Sequence, residues 1–213
     1  FSGTLILTGD NAYTGGTDIH GGILQLGDGG TQGSIDGDIN VGSGAKFVVN
    51  KSGDTEFSAV ISGDGAVEID GGGVTTFTGN NTYTGGTHIS AGALKISQGG
   101  SDGSIVGNVN IAAAHSFLIF NRDNEYKFLG SISGLGGVTQ AGAGTTILLG
   151  DNNYQGGTQV NNGVLQVGDD GTVGSITGDV KLGINGGLAF SRSDEITYSG
   201  IIDGAGTLHQ VGN

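Results

Sequence analysis

Proline, cysteine, methionine and tryptophan are all missing from this 213-residue chain, and its basic residues number only seven. Each gap removes a class of protein. Without cysteine there is no disulfide frame and no thiolate metal site. The four histidines, His20, His88, His115 and His209, do not fall at zinc-ligand spacings, so no metal is expected from them. Without proline, and without glycine at every third position, the chain is not collagen. Seven lysines and arginines against 20 acids, a net charge of −13, cannot build the clustered positive surface that nucleic acid requires. Apolar residues come only in short bursts, so no membrane-inserting helix and no signal peptide are expected within these residues. Glutamate is scarce too: 16 of the 20 acids are aspartate. Aspartate closes turns through its own backbone, whereas glutamate favours helix, and no helical apolar period of useful length is present.

What is present is glycine, at 48 positions, with a 35% hydrophobic content that sets the chain apart from disordered glycine-rich segments. Thr, Val and Ile gather in short runs cut by Gly, Asp and Asn, the pattern of many short strands joined by tight turns. The first stretch illustrates it. Thr4-Leu5-Ile6-Leu7-Thr8 reads as a strand, Gly9-Asp10-Asn11 breaks it, and Gly21-Gly22 turns the chain into Ile23-Leu24-Gln25-Leu26. The chain is all-β by this reading.

It also repeats. GDNAYTGGTDI around Tyr13 returns as GNNTYTGGTHI around Tyr83 and as GDNNYQGGTQV around Tyr154, at spacings of 70 and 71. Gly33-Ser34-Ile35 returns as Gly103-Ser104-Ile105 and Gly174-Ser175-Ile176, and Asn50-Lys51-Ser52 as Asn121-Arg122-Asp123 and Ser191-Arg192-Ser193. Three landmarks in one order define a tandem array with units at about 4–73, 74–144 and 145–213, and such arrays stack into solenoids. The predicted architecture is a single right-handed parallel β-helix over 1–213, with about three coils per unit. Coils of roughly 20–25 residues give nine in all and a rod of roughly 43 Å. A two-coil unit with long excursions is the alternative. With no initiating Met and a strand tail at Phe1, the chain reads as a piece of a longer array. Phe1 at one end, and Leu208 with Val211 at the other, are expected to be left bare.

Three sets of recurring residues are candidate sites. Tyr13, Tyr83 and Tyr154 form either a sugar-stacking or partner-binding face, or corner residues whose hydroxyls meet a polar neighbour. Asn11, Asn81 and Asn152 recur in step with them and are expected to cap tight bends. Lys51, Arg122 and Arg192 read either as a basic stripe for an anionic glycan or as local pairs with Asp54, Asp123, Glu125, Asp194 and Glu195. The turns Gly27-Asp28-Gly29-Gly30 and Gly168-Asp169-Asp170-Gly171 invite calcium, but the middle copy, Ser97-Gln98-Gly99-Gly100, has no acid and no nine-residue period exists. No nucleophile motif stands apart from the repeat, so no catalytic residue, cofactor or metal is expected.

The run GDNAYTGGTDIHGGILQLGDGGTQGSIDGDINV, followed by Phe120-Asn121-Arg122-Asp123 and Phe190-Ser191-Arg192-Ser193-Asp194, resembles the autotransporter-associated β-strand repeat, also called the passenger-associated transport repeat. Leu129-Gly130-Ser131-Ile132-Ser133-Gly134 and Ser199-Gly200-Ile201-Ile202-Asp203-Gly204 continue the likeness. The usual form is left at Lys51-Ser52-Gly53 and at Asp70-Gly71-Gly72-Gly73. The resemblance implies a β-helical passenger of a type V secreted protein, extracellular or at the surface of a Gram-negative bacterium. It further implies a signal peptide upstream and an outer-membrane β-barrel downstream, both outside these residues. The expected role is a structural stalk and a folding module during secretion, supporting adhesion or self-association through a host-surface glycan or protein or a second rod. A direct binding face is the alternative, and a polysaccharide-degrading β-helix the third.

Overall fold

A computed structural model describes residues 3–212. Every strand pairing is parallel, and among the described residues none is helical. Most strands are two to four residues long, with Thr158–Gly171 and Val180–Arg192 continuous over 14 and 13 residues, and because parallel neighbours cannot be joined by hairpins the chain winds, visiting three faces per turn. Face one begins with Thr4–Leu7, which pairs with Ile23–Leu26; that strand pairs with Lys46–Val49, and that in turn with Ala66–Ile69. The face continues through Thr87–Ile89 and Val109–Ile111 to Ile132–Gly134. Face two runs from Thr55–Phe57 through Val74–Phe77 and Ala93–Ile96 to Ile202–Gly204. Face three holds Thr17–Ile19, Ile39–Val41 and Ile61–Ser62, then Tyr126–Phe128, Thr145–Leu148 and, last, Thr207–Gln210.

The register yields the turn length. Successive partners on face one, 4, 23, 46 and 66, then 67, 87, 109 and 132, advance by 19 to 23 residues, about 21 on average. A unit of 70 or 71 residues is therefore about three and one-third turns, not three. The chain makes about ten turns where nine were predicted, a stack of roughly 48 Å at the spacing of parallel strands. The extra third has a large consequence. Each unit starts one face further round than the last: Thr4–Leu7 lies on face one, its equivalent Val74–Phe77 on face two, and Thr145–Leu148 on face three. Sequence repeats and structural faces are out of step by about 120° per unit.

Inward-pointing residues stack rung upon rung. On face two one column reads Phe57, Phe77, Ile96, Phe120, Gln140, Val160 and Leu182. Phe47, Phe57 and Phe77 meet edge to face with centroids 5.8 and 5.9 Å apart. Gln140 is the anomaly in that column, fully buried, its Nε2 donating to Gly142 O and Gly144 O while its Oε1 has no partner. Outside, Lys127 pairs with Asp169 two turns on, and Ile147, in register between Lys127 and Gln166, is buried. Leu208 and Val211 are exposed, and Phe1 lies outside the described residues.

Candidate functional site

The three tyrosines do not share a face. Tyr13 sits beside the first rung of face two, Tyr83 on face three and Tyr154 on face one, as the third-turn offset requires. Tyr83 and Tyr154 are fully buried, and each phenol meets the hydroxyl of the threonine four residues on, Thr87 at 2.7 Å and Thr158 at 2.6 Å. Tyr13 makes the same contact with Thr17 at 2.8 Å but is exposed. It lines a concavity of about 570 Å³ at the first turn, with Leu5, Ile19 and Leu24. In the two later units the ring is a core residue rather than a surface for a sugar.

Burial holds the Tyr83 and Tyr154 phenols neutral, far above the ordinary range. The sign follows: a folded-state value raised above that of the unfolded chain gives stability that is complete below roughly pH 10 and is lost as pH rises beyond it. The rod is expected to unfold in alkali, and the Tyr83→Phe/Tyr154→Phe variant to hold out to higher pH. Circular dichroism during a base titration reads this. An alkaline transition that the double variant leaves in place would refute it.

The asparagines are rung-to-rung staples. Asn81 Oδ1 accepts from Ile61 N in the turn below at 2.8 Å, while Nδ2 donates to Gly79 O and to Ser104 O in the turn above, both at 3.0 Å. Asn152 repeats this with Ile132 N at 2.8 Å, Gly150 O at 2.7 Å and Ser175 O at 2.8 Å. Asn11 makes only the two donor contacts, to Gly9 O and Ser34 O. None of the three has a positive φ; among non-glycine residues described, only Ser97 and Asp170 do. Their role comes from the amide side chain, not from left-handed backbone.

Lys51, Arg122 and Arg192 point inward at three different corners, as staples of another kind. Each donates to the carbonyl of the glycine in the Gly-Ser-Ile motif one turn back: Lys51 Nζ to Gly33 O at 2.6 Å, Arg122 Nη1 to Gly103 O, and Arg192 Nη1 to Gly174 O. Arg122 also reaches Ser101 O and lies 4.9 Å above the Tyr126 ring. Arg192 pairs with Asp194 through Nε and Nη2, both at 2.8 Å, which holds the Asp194 carboxyl below its usual range. Burial lowers the Arg122 guanidinium instead. Lys51 and the two arginines each give a donor to a backbone oxygen and are spread over three corners.

Sequence reasoning passed over another staple set. Asp38 Oδ1 accepts from Val60 N, Asn108 Oδ1 from Ser131 N and Asp179 Oδ1 from Ile201 N, each at 2.9 Å and one turn up. The signal was there in an Asx residue at 38, 108 and 179, the same 70/71 spacing. Two shallow grooves also recur at the Gly-Gly-Thr step. One, about 270 Å³, is lined by Gly85, Gly86, His88, Asn110 and Ser133; the other, about 330 Å³, by Gly156, Gly157, Gln159, Lys181 and Asp203. Their outward side chains differ and they open on different faces. Among the described residues no three His, Asp or Glu side chains gather as a metal site would require, and no helix is long and apolar enough to cross a membrane.

The profile described as passenger-associated-transport-repeat matches residues 2–26, 70–96 and 138–167, the tyrosine-bearing start of each unit or the approach to it. The chain is similar to the adhesin BmaC autotransporter of Brucella suis biovar 1 (strain 1330), with 34% identity over 99% of this chain and 6% of that protein. It is also similar to an extracellular serine protease of Serratia marcescens, with 40% identity over 37% of this chain and 8% of the protease. The chain thus spans less than a tenth of the length of either relative. No solved structure gives a significant match.

Proposed function

The chain is an array of passenger-associated transport repeats of the autotransporter kind, and on that premise we propose that it is a stalk segment of a surface-displayed passenger. The observation that carries this reading is where the recurring residues go. Asparagines and basic side chains are consumed in joining one turn to the next, and Tyr83 and Tyr154 in filling the core, which is the work of a scaffold. The third-turn offset scatters equivalent positions over three faces, so repetition builds no single-faced binding stripe. A relative that is an adhesin supports adhesion as the setting of the whole protein, at the surface of a Gram-negative bacterium with a translocating β-barrel in the same chain. We read the segment itself as non-enzymatic; its match to a protease touches only 8% of that enzyme. Turn-by-turn stacking also suits folding as the chain emerges during secretion, since each turn needs only its neighbour.

Excision of residues 74–144 from the full-length protein tests the stalk. Unit one then joins unit three at the natural type of junction, and the rod shortens by roughly 16 Å, three and one-third rungs. Surface display and host-cell attachment are expected to persist. Loss of attachment with display intact would place the binding face in this segment instead.

A further inference from the structure

The ring of Tyr126 has a place of its own in the second unit. It reaches down one turn, where Ile105 N donates to its hydroxyl at 3.2 Å and the hydroxyl donates to Ile105 O at 2.8 Å. Arg122 lies over one face, 4.9 Å from the centroid, and the Phe120 ring stands 6.0 Å away. The third unit repeats this frame without the ring. Ile176, Phe190 and Arg192 correspond to Ile105, Phe120 and Arg122, but Ile196 stands where Tyr126 does. What is left is a cavity of about 190 Å³, with Val167, Ile176, Phe190 and Arg192 buried in its wall and Asp151, Thr172 and Thr197 exposed at its mouth. Ile176 is buried, yet among the described residues no group bonds its N–H or its C=O. The hydroxyls close by in sequence are used elsewhere: Thr177 Oγ1 donates to Tyr154 O at 3.1 Å, and Tyr198 donates to Gly178 O.

We infer that this cavity is a binding site for the phenol ring of a ligand. Tyr126 supplies the pattern from within the same chain. The room suits one six-membered ring, since an apolar cavity of roughly 150 Å³ takes a benzene. Ile176 calls for a hydroxyl on that ring, because its buried N–H and C=O need an acceptor and a donor together and one hydroxyl is both. Charge selects against an anion. The Arg192 guanidinium already donates twice to Asp194, at 2.8 Å each, and to Gly174 O, and Asp151 stands at the mouth. A guanidinium held by bonds in its own plane keeps its face for an aromatic ring, as Arg122 does over Tyr126. The first unit, with Thr55 and Lys51 at the matching positions, has no such planar cation. The cavity lies below the rung of Ile196, and its lining comes from that turn and those beneath it.

The probes are p-cresol, the tyrosine side chain as a free molecule, and toluene, the same shape without the hydroxyl. Titration of the chain with p-cresol, followed through its backbone amide NMR signals, is expected to shift Ile176 saturably. Toluene should bind roughly tenfold more weakly, for want of the two hydrogen bonds. Ile196→Tyr fills the cavity with a phenol of the chain's own and should remove the p-cresol shift at Ile176 while the fold, read by circular dichroism, persists. N-acetyltyrosinamide distinguishes the sources of such a ring. A shift at Ile176 with both phenols assigns the site to a tyrosine presented by a protein, and a shift with p-cresol alone assigns it to a free phenol. The inference is overturned if p-cresol leaves the Ile176 amide unmoved, if toluene binds as tightly, or if the p-cresol shift survives Ile196→Tyr. None of these bears on the stalk reading, which the excision decides.

Discussion

An Asn152→Ala variant is expected to lose about 2–3 kcal/mol of stability, because Ile132 N is left buried without an acceptor, at roughly 1–3 kcal/mol for such a group, and Gly150 O and Ser175 O each lose one of two donors. Only Ile132 N depends wholly on this buried amide; Gly150 O keeps Ser175 N as a donor at 3.2 Å and Ser175 O keeps Asn152 N at 3.1 Å. Neighbouring rungs cannot lend a replacement, since their own hydrogen bonds run along the same axis. Asn152→Asp keeps the acceptor for Ile132 N but turns a carboxylate toward two carbonyl oxygens, so it should be no better. Asn11→Ala is the internal comparison. It has no contact with a lower turn among the described residues and is not buried, and it should cost under about 1 kcal/mol. Denaturant melts of the three variants, with hydrogen exchange at Ile132, separate these outcomes. Equal losses at positions 11 and 152 would show that the cross-turn staple is not what holds the stack. Because turns contact only their neighbours, exchange should quicken first around turns seven to nine and last at the far end.

Gly142→Ala is expected to be at least as damaging, about 3 kcal/mol or more, from overpacking against backbone that cannot yield. A Cβ there would lie 2.1 Å from Arg122 O and 2.4 Å from Arg122 N in the turn below. The position recurs. Gly71 lies equally close over Lys51 and Gly212 over Arg192, so each basic staple has a glycine seated on its backbone. Gly72→Ala is the control, with nothing within 4 Å of its added methyl and an ordinary φ. It should be close to neutral or slightly stabilising by restricting the unfolded chain. If thermal melts gave the two variants the same midpoint, the close approach of the turns at Gly142 would be mistaken.

The strand-and-turn pattern was legible because burial on a pleated strand leaves an alternation in the sequence: Leu24 and Leu26 inward, Gln25 outward. The sites were only half legible. The recurrence of Tyr, Asn and Lys or Arg at 70 and 71 marked them as important to every unit, and a hydroxyl partner for tyrosine was expected. What the recurrence could not say is that Tyr83 and Tyr154 point into the core while Tyr13, at the first turn, stays open. Nor could it say that Arg122 and Arg192 turn inward to a glycine carbonyl one turn away, since that partner lies 18 or 19 residues back and carries no side chain to betray it.

Sequence by itself determined that the chain is all-β, that it is a tandem array and that it resembles passenger repeats, because each of these rests on composition or on spacing along the chain. The tertiary structure alone decided how the spacing maps onto space. A turn of about 21 residues does not divide a unit of 70 or 71, and turn length is set by three corners whose loops vary from turn to turn, which no periodicity in the sequence records. From that mismatch come the rotation of each unit by a third of a turn and the dispersal of its recurring residues over three faces.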